Sequence, residues 1–497
     1  MQVSGKHILK YGAIILSALF STILLFVAYS LLDFSPQQDS TPERANIVND
    51  ITQLNPIEVS KVVAPTSIED IQKAISTTKG KISIGGGRYS QGGQVALDGH
   101  LHLDMRQFNQ VVSFSPEQKE ITVQSGMRWR DIQDIIDPED LSIKIMQSYS
   151  NFTVGGSLSV NVHGRYMGEG PIIRSVKSLK LVLADGRVVT ASPVQDSEIF
   201  YGVIGGYGGL GVIVEATLDL VPNTKVARET AYMRIDEYSA FFQNTVRDNS
   251  HIVFHNADIY PPHYTHVNSV NWVKTDKPLT VTERLIPKGT EYWWQPKATQ
   301  FVADSNFGKW VRQHVFEPIL YSSDAVQWRN YEASYSVREL EPKSRTESTY
   351  VLREYFVPVE RFDHFSKKMA DIFKKHEVNV LNVSIRHALP DTGSLLAWAK
   401  EEVFAFVVYY RQGTSEQDKQ AVRAWSREMI DAVVSEGGTY YLPYQLHATS
   451  EQFHAAYPKA NAFFALKKKI DPDNRFSNKL WEQHYTDSLF SSGFHKD

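Results

Sequence analysis

Gly85-Gly86-Gly87-Arg88-Tyr89-Ser90-Gln91-Gly92-Gly93 follows a short apolar run, Lys81 to Ile84, that reads as a strand. Glycine carries no Cβ, so a strand ending this way can bring its backbone against a ligand and aim N–H groups at phosphate oxygens. One such cluster is usually a turn. Here others follow: Gly155-Gly156, Gly164 with Gly168, and Gly205-Gly206-Gly208-Gly209-Gly211. Most border apolar strands, which points to a long phosphate-bearing ligand laid across several loops. Gly206-x-Gly208-x-x-Gly211 formally fits a dinucleotide fingerprint, but that motif should open a helix. Val212-Ile213-Val214 instead continues as β-branched strand, which disfavours a Rossmann unit. No glycine loop is followed by Lys and Ser or Thr, so no P-loop is present.

Working outward, Ser67 to Thr77 reads as a helix. Ser67 and Asp70 form a capping box, and Ile68, Ile71 and Ile75 share one face. Leu101, Leu103 and Met105 alternate as in a strand, as do Ile121 and Val123; Arg128 to Ile136 is helical in pattern. Ser178 to Leu183 is an apolar strand, Asp185-Gly186 a hairpin turn into Arg187–Thr190, and Val212 to Leu220 a further strand. Residues 56–222 are therefore expected to form one α+β domain of short strands and glycine loops. Beyond Pro222 glycine thins and aromatics increase. Residues 223–436 read as a second α+β domain, with a helix over Val359 to His376, and 437–497 as a tail carrying tyrosines and an Asp471-Pro472-Asp473 turn. No internal repeat or low-complexity tract is visible.

The chain has 497 residues, 42% hydrophobic and 22% charged, with a net charge of −4, as an ordinary globular protein of two or three domains would. There is no basic excess to neutralise phosphates, so a nucleic-acid partner is not expected. Cysteine is absent, which removes disulfides, thiolate metal sites, Fe–S clusters and a cysteine nucleophile together. The N-terminus is different in kind. Tyr11 to Leu32 is an apolar run long enough to cross a bilayer as a helix, preceded by Lys6 and Lys10 and followed by Asp33. Residues 1–33 thus read as a single-pass signal-anchor, with 34–55, rich in Pro, Gln, Ser and Asp, as linker. The positive flank places the body on the extracytoplasmic side. A cleaved signal peptide is the rival, although the run is long for one and no clean cleavage site follows. No twin-arginine pair is present, so a body that carries a cofactor is either loaded after export or lies on the other side.

The order of motifs resembles the FAD-linked oxidases, the vanillyl-alcohol-oxidase superfamily with its PCMH-type FAD-binding domain. The matching residues are Gly85-Gly86-Gly87-Arg88-Tyr89-Ser90, Thr153-Val154-Gly155-Gly156, Asn161-Val162-His163-Gly164, Leu183-Ala184-Asp185-Gly186, Asp196, Phe200, Gly205-Gly206 with Gly208, and Gly211-Val212-Ile213. Gly437-Gly438-Thr439-Tyr440-Tyr441-Leu442, Phe453-His454-Ala455, Tyr457-Pro458 and Lys469-Ile470-Asp471-Pro472 resemble the ends of decaprenylphosphoryl-ribose oxidases and of aldonolactone or alditol oxidases. Glu354-Tyr355-Phe356-Val357-Pro358 and Ser384-Ile385-Arg386 resemble cap-domain strands of that group. The resemblance implies a two-subdomain FAD-binding domain, an α+β cap that meets the substrate, and a tail returning to the flavin.

By position it implies FAD contacts from Gly85 through Gly93, including Gln91 and Gly92, and from Ser148, Thr153, Val154, Gly155, Gly156, Val160, Asn161, His163, Ile213 and Tyr441. Many relatives attach FAD to a histidine of the first loop. Here that stretch reads Arg88-Tyr89-Ser90, so FAD is expected to be held without a covalent bond, with Arg88 either pairing a phosphate or standing as an ordinary surface charge. His163, Arg386 and Tyr444 are the expected catalytic residues. Two departures stand out: Ser384 replaces an acidic residue beside Arg386, and Tyr444 occupies the place of a lysine important for activity. A tyrosine can donate a hydrogen bond, or act as a base if its pKa is lowered.

The resemblance implies an oxidoreductase that takes hydride from a C–H beside a hydroxyl of a sugar, alditol, lactone or lipid-linked sugar. Electrons then pass to oxygen, a quinone or a carrier. Two other readings stay open: an NAD(P)H-dependent reductase of an alkene, and a flavin-holding protein that only relays electrons. His251, His255, His263 and His266 lack carboxylate support at metal-ligand spacing and read as surface residues of the cap, so no metal is expected. Trp293-Trp294 and Trp310 read as core, with contact to lipid or closure of the cap as alternatives.

Overall fold

The structure is a computed structural model that describes Ser21 and residues 45–290, 294–337, 341–342 and 344–491, the stretch 486–491 by backbone alone. The apolar run at 11–32 lies outside the described residues except for Ser21. Among the described residues no helix is long and apolar enough to cross a membrane.

Residues 45–55, expected to be linker, hold ordered contacts. Strand β1 (Ile47–Val48) pairs antiparallel with β2 (Ile57–Glu58). The buried Asp50 carboxylate gathers the Thr52 backbone N–H, the Thr52 hydroxyl and the Asn55 amide. Such local side-chain bonding folds a polar stretch without an apolar pattern. The Ile51 N–H donates to the Arg88 carbonyl at 3.1 Å, tying this segment to the first glycine loop.

Strands β3 (Lys61–Val63), β4 (Ile82–Gly85) and β5 (Leu101–Asp104) form a parallel sheet in the order β3-β5-β4. The helix Ile68–Thr77 links β3 to β4. Its Ser67/Asp70 capping box is formed, and it buries Ile71, Ala74 and Ile75. A second sheet contains β6 (Val111–Ser115), β7 (Glu120–Gln124), β8 (Leu141–Ile143), β9 (Val176–Val182), β10 (Val188–Ala191) and β11 (Val212–Pro222), in the path β10-β9-β11-β7-β6 with β8 on the far end of β11. Every pairing in it is antiparallel. The glycines at 205–211 therefore open a strand, and the Rossmann reading fails for the reason the β-branched residues gave.

The cap is one eight-stranded antiparallel sheet. Its strands are β12 (Lys225–Arg234), β13 (Ile252–Ile259), β14 (His266–Lys274), β15 (Val326–Trp328), β16 (Ser348–Pro358), β17 (Val380–Ala388), β18 (Val403–Gly413) and β19 (Thr439–Tyr440), ordered β15-β12-β14-β13-β17-β18-β16-β19. The tail thus supplies the edge strand. The helices Phe362–Lys375 and Glu416–Ser435 bury Phe365, Met369, Phe373, Trp425, Met429 and Val433. Side chains alternate across a strand, so Val351, Arg353 and Tyr355 share one face of β16 while Leu352, Glu354 and Phe356 share the other.

After β19 the chain crosses back. Ile82 N–H donates to the Arg475 carbonyl at 2.6 Å, and Trp481 stacks on Phe463 near Tyr207. Lys467, fully buried on the helix Ala460–Ile470, donates to Asp471 at 2.8 Å and to the carbonyls of Gly209 and Phe476. One cation thereby clamps the tail to the last glycine loop. Removing one member of a buried ion pair strands the other in a medium that cannot solvate it. Lys467→Met is expected to cost about 3–5 kcal/mol, visible as a lowered midpoint in thermal unfolding followed by far-UV circular dichroism; an unchanged midpoint would show the clamp to be dispensable.

Candidate functional site

The two halves enclose a cavity of about 1060 Å³. On one side stand residues 85–91, Ser125, Gln147–Tyr149, Thr153, Gly155–Ser157 and Val160; on the other stand the inward residues of the cap sheet, and Tyr441 and Tyr444 come from the tail. The glycine loops interlock. A Cβ on Gly86 would lie 2.3 Å from Thr153 Oγ1, and one on Gly155 would lie 2.8 Å from Ser125 Cβ. Thr153 Oγ1 accepts from the Gly87 N–H at 3.3 Å. At these glycines the wall is backbone, with no room for a side chain.

Two hydroxyls, Ser125 Oγ and Ser148 Oγ, are buried beside the cavity and have no partner within the protein. Buried polar atoms are normally satisfied, so this wall is furnished for a ligand rich in oxygen. A pyrophosphate and a ribityl chain meet that requirement, and the residues present fit FAD. Ile213 lines the cavity where β11 bulges between Ile213 and Glu215. The Tyr441 hydroxyl donates to the Val160 carbonyl at 2.8 Å, fixing the tail against the glycine helix.

Several expected contacts lie elsewhere. Gly92 and Gly93 do not reach the cavity: a Cβ on Gly92 would be 2.3 Å from the Tyr444 carbonyl oxygen, and one on Gly93 would be 2.8 Å from Lys479. They are packing positions for the tail. Val154 is in the apolar core. Asn161 adopts a left-handed φ of 50° and turns its amide to Asp391 and Ser394, holding a cap loop. Arg88 lines the cavity, but its Nη2 is 3.1 Å from Asp104 Oδ2, a carboxylate shared with Arg106. Its charge has a partner within the chain already and its side chain is mostly buried, so it is not an ordinary surface charge.

The chemical centre is a buried carboxylate that no sequence motif had singled out for the site. Glu354, inward on β16, has Oε2 2.6 Å from His163 Nε2, and its Oε1 accepts from the Tyr444 hydroxyl. His163 is packed against Trp398, with ring centroids 4.9 Å apart, and against the edge of Phe356 at 5.4 Å. In the sheet register Ser384 faces Val407, which faces Glu354. The three share one row and one face. The acid missing at 384 is therefore matched by a carboxylate two strands away. Arg386 lines the same space, and its Nε is buried without a partner. Burial opposes ionisation of Glu354, but His163, Arg386 and the Tyr444 hydroxyl outweigh it and hold the carboxyl below its ordinary 4.5. Burial and the neighbouring Glu354 push the Tyr444 phenol well above its ordinary range. Tyr444 is a hydrogen-bond donor here, and its surroundings do not supply the lowered pKa that a base would need. The signal that could have found Glu354 was a lone carboxylate at an inward position between Leu352 and Phe356.

Farther from His163, Asp258 accepts from Asn382 at 2.8 Å and from Asn256 at 3.3 Å, giving the cap wall a polar patch. The histidine cluster disperses. His255 is fully buried rather than on the surface, its Nδ1 2.7 Å from Asn271 Oδ1 and its Nε2 2.8 Å from the Tyr238 hydroxyl; burial lowers its pKa to about 4. His266 stacks on Tyr232, and His251 and His263 are exposed. Among the described residues no group of side chains is arranged to hold a metal. Trp294 and Trp310 are exposed, not core.

Residues 59–192 match the model of the FAD binding domain family. L-gulonolactone oxidase of Bos taurus is 21% identical over 84% of this chain and 93% of its own length. Decaprenylphosphoryl-beta-D-ribose oxidase of Mycolicibacterium smegmatis is 23% identical over 85% of this chain and 94% of its own. L-galactono-1,4-lactone dehydrogenase 1 of Oryza sativa is 25% identical over 43% of this chain and 37% of its own. With the glycine-walled cavity and its two orphaned hydroxyls, these likenesses identify the chain as an FAD-dependent oxidoreductase of the FAD-linked oxidase superfamily.

Proposed function

We propose that this oxidoreductase oxidises a carbon bearing a hydroxyl in a sugar, alditol, lactone or lipid-linked sugar, and that Glu354, His163, Tyr444 and Arg386 carry the protein's share of the chemistry. The observation that supports this most is the buried Glu354 carboxylate, bound by His163 and Tyr444 at the junction of both halves and the tail. Bound FAD would supply the hydride acceptor. Glu354, kept ionised by its partners, takes up the proton that leaves the substrate hydroxyl, directly or through His163. Tyr444 donates to that carboxylate and orients it. Arg386, which lines the cavity and keeps a buried Nε without a partner, holds a substrate oxygen or offsets negative charge as reduction proceeds. The polar patch of Asn256, Asp258 and Asn382 suits hydroxyls and argues against an apolar alkene. The relatives' names, two lactone enzymes and one lipid-linked ribose oxidase, favour the same substrate class. The acceptor on this reading is oxygen, a quinone or another carrier.

Anaerobic mixing with alditols, lactones, sugar alcohols and NADPH tests the reading. One of the hydroxyl substrates is expected to bleach the flavin absorbance; bleaching by NADPH alone would sink it. Glu354→Gln is expected to keep FAD and slow the reductive step by about 10²–10⁴-fold. The sign of the pH dependence follows from the lowered carboxyl. Its ionised form, and the stability it lends, is fully present above 4.5 and is lost as pH falls through the lower folded value. The acid limb of the reductive rate should therefore lie below pH 4.5 and vanish in Glu354→Gln; a limb near neutrality would exclude Glu354 as its source.

FAD is held without a covalent bond on this reading, because Arg88 stands where the attaching histidine would be. Acid precipitation should leave the yellow colour in the supernatant, and a coloured pellet would reverse the conclusion. The run at 11–32 anchors the body to a membrane, with the lysines at 6 and 10 keeping the N-terminus in the cytoplasm. A reporter fused after Asp497 should be active only outside the cytoplasm; the opposite result would invert the orientation.

A further inference from the structure

Every exposed tryptophan, phenylalanine, isoleucine or leucine among the described residues falls in one stretch of the cap: Trp294, Phe307, Trp310, Ile319 and Leu320, each 44–56% exposed. The stretch consists of the helices Gln295–Asp304, Asn306–Val311, Arg312–Phe316 and Glu317–Tyr321. Phe307 stacks on Trp310 with ring centroids 6.2 Å apart. Trp294, Ile319 and Leu320 also line the cavity. The apolar patch is therefore the rim of the opening that leads to Glu354.

Four of the five charges in this stretch pair within the protein. Arg312 and Glu317 pair with each other at 2.6 Å, Lys309 is buried and donates to Asn379, and Asp304 is paired with Arg411. An outward face of large apolar side chains whose neighbouring charges are paired is cheap to dehydrate. Tryptophan at the border of such a face is the residue type favoured where water meets lipid.

We propose that residues 294–321 seat the mouth of the cavity on the acyl surface of a membrane. The chain outside the structure supports lipid over a protein partner. Residues 33–44, between the end of the apolar run and the segment described from 45 onward, span at most about 40 Å. A body of this size has a radius of gyration of about 23 Å, so a chain anchored by that run keeps the body close enough for one face to rest on the bilayer. That tether rests on the anchor reading given above; the exposed rim does not. A substrate with a lipid tail would then enter from the membrane with its hydroxyl-bearing end toward Glu354 and its tail along the rim.

The test uses the full chain reconstituted in phosphatidylcholine–phosphatidylglycerol vesicles with brominated acyl chains, which quench nearby tryptophan emission. No tryptophan precedes Trp129, so the run at 11–32 adds no signal. Emission should be quenched relative to unbrominated vesicles, and Trp294→Phe with Trp310→Phe should remove most of that quenching while flavin content is unchanged. Unquenched emission in a chain that floats with the vesicles overturns the proposal and leaves the anchor standing; a chain that does not float fails the anchor. Quenching that survives the double substitution also overturns it. So does a dimer in sedimentation that Leu320→Ser dissociates, because the face would then belong to a second copy.

Discussion

A carboxylate withdrawn from water must be satisfied by its surroundings or cost several kcal/mol. Glu354 is withdrawn, and what satisfies it comes from three parts of the chain: His163 from the FAD-binding half, Tyr444 from the tail, and the nearby charge of Arg386 from the next-but-one strand of the cap. None of these is local to Glu354 in sequence. The ion is stable only when the two halves and the tail have closed around it. The same closure forms the cavity, so the cost of burying this charge and the construction of the site are one constraint.

The rest of the architecture serves that closure. β16 carries Glu354 near the middle of its eleven-residue length and lies beside β18, with the tail strand β19 on its other edge. Gln91 from the first glycine loop accepts from the Leu352 N–H at 2.9 Å and donates its own N–H to the Pro443 carbonyl at 2.6 Å. The first loop thereby touches both the strand of the carboxylate and the segment of the phenol. Gln94 adds two hydrogen bonds to the carbonyls of Leu442 and Tyr444. These contacts explain why Gly92 and Gly93, expected beside the cofactor, are spent on packing against the tail instead.

Much of this was legible in the residues. The Ser67 capping box, the strand after Gly211 and the helix beginning at Phe362 all follow from local patterns, and local patterns are what a single sequence records. The glycine loops were legible because missing side chains announce close backbone approach. What escaped depends on partners far away in sequence. Glu354 looked like part of a strand until the alternation of β16 was fixed by its neighbours. Arg88 looked free for a phosphate because Asp104 sits on another strand. His255 looked exposed because its partners, Tyr238 and Asn271, lie on separate elements. The segment at 47–55 looked like linker because Asp50 folds it through side-chain bonds that leave no hydrophobic period.

The two departures from the family pattern compensate each other only in part. No carboxylate stands at 384, and Glu354 supplies one in the same row of the sheet, two strands away. The lysine absent at 444 is not restored: a neutral phenol stands there, held protonated by burial and by Glu354. Among the described residues, Arg386 is then the guanidinium whose charge acts on Glu354. A guanidinium already facing a carboxylate attracts an incoming anion less than an added ammonium would. On the proposed reading, the reacting end of the substrate is therefore an uncharged hydroxyl. Any phosphoryl group it bears belongs away from Glu354, toward the apolar rim where a lipid tail would emerge.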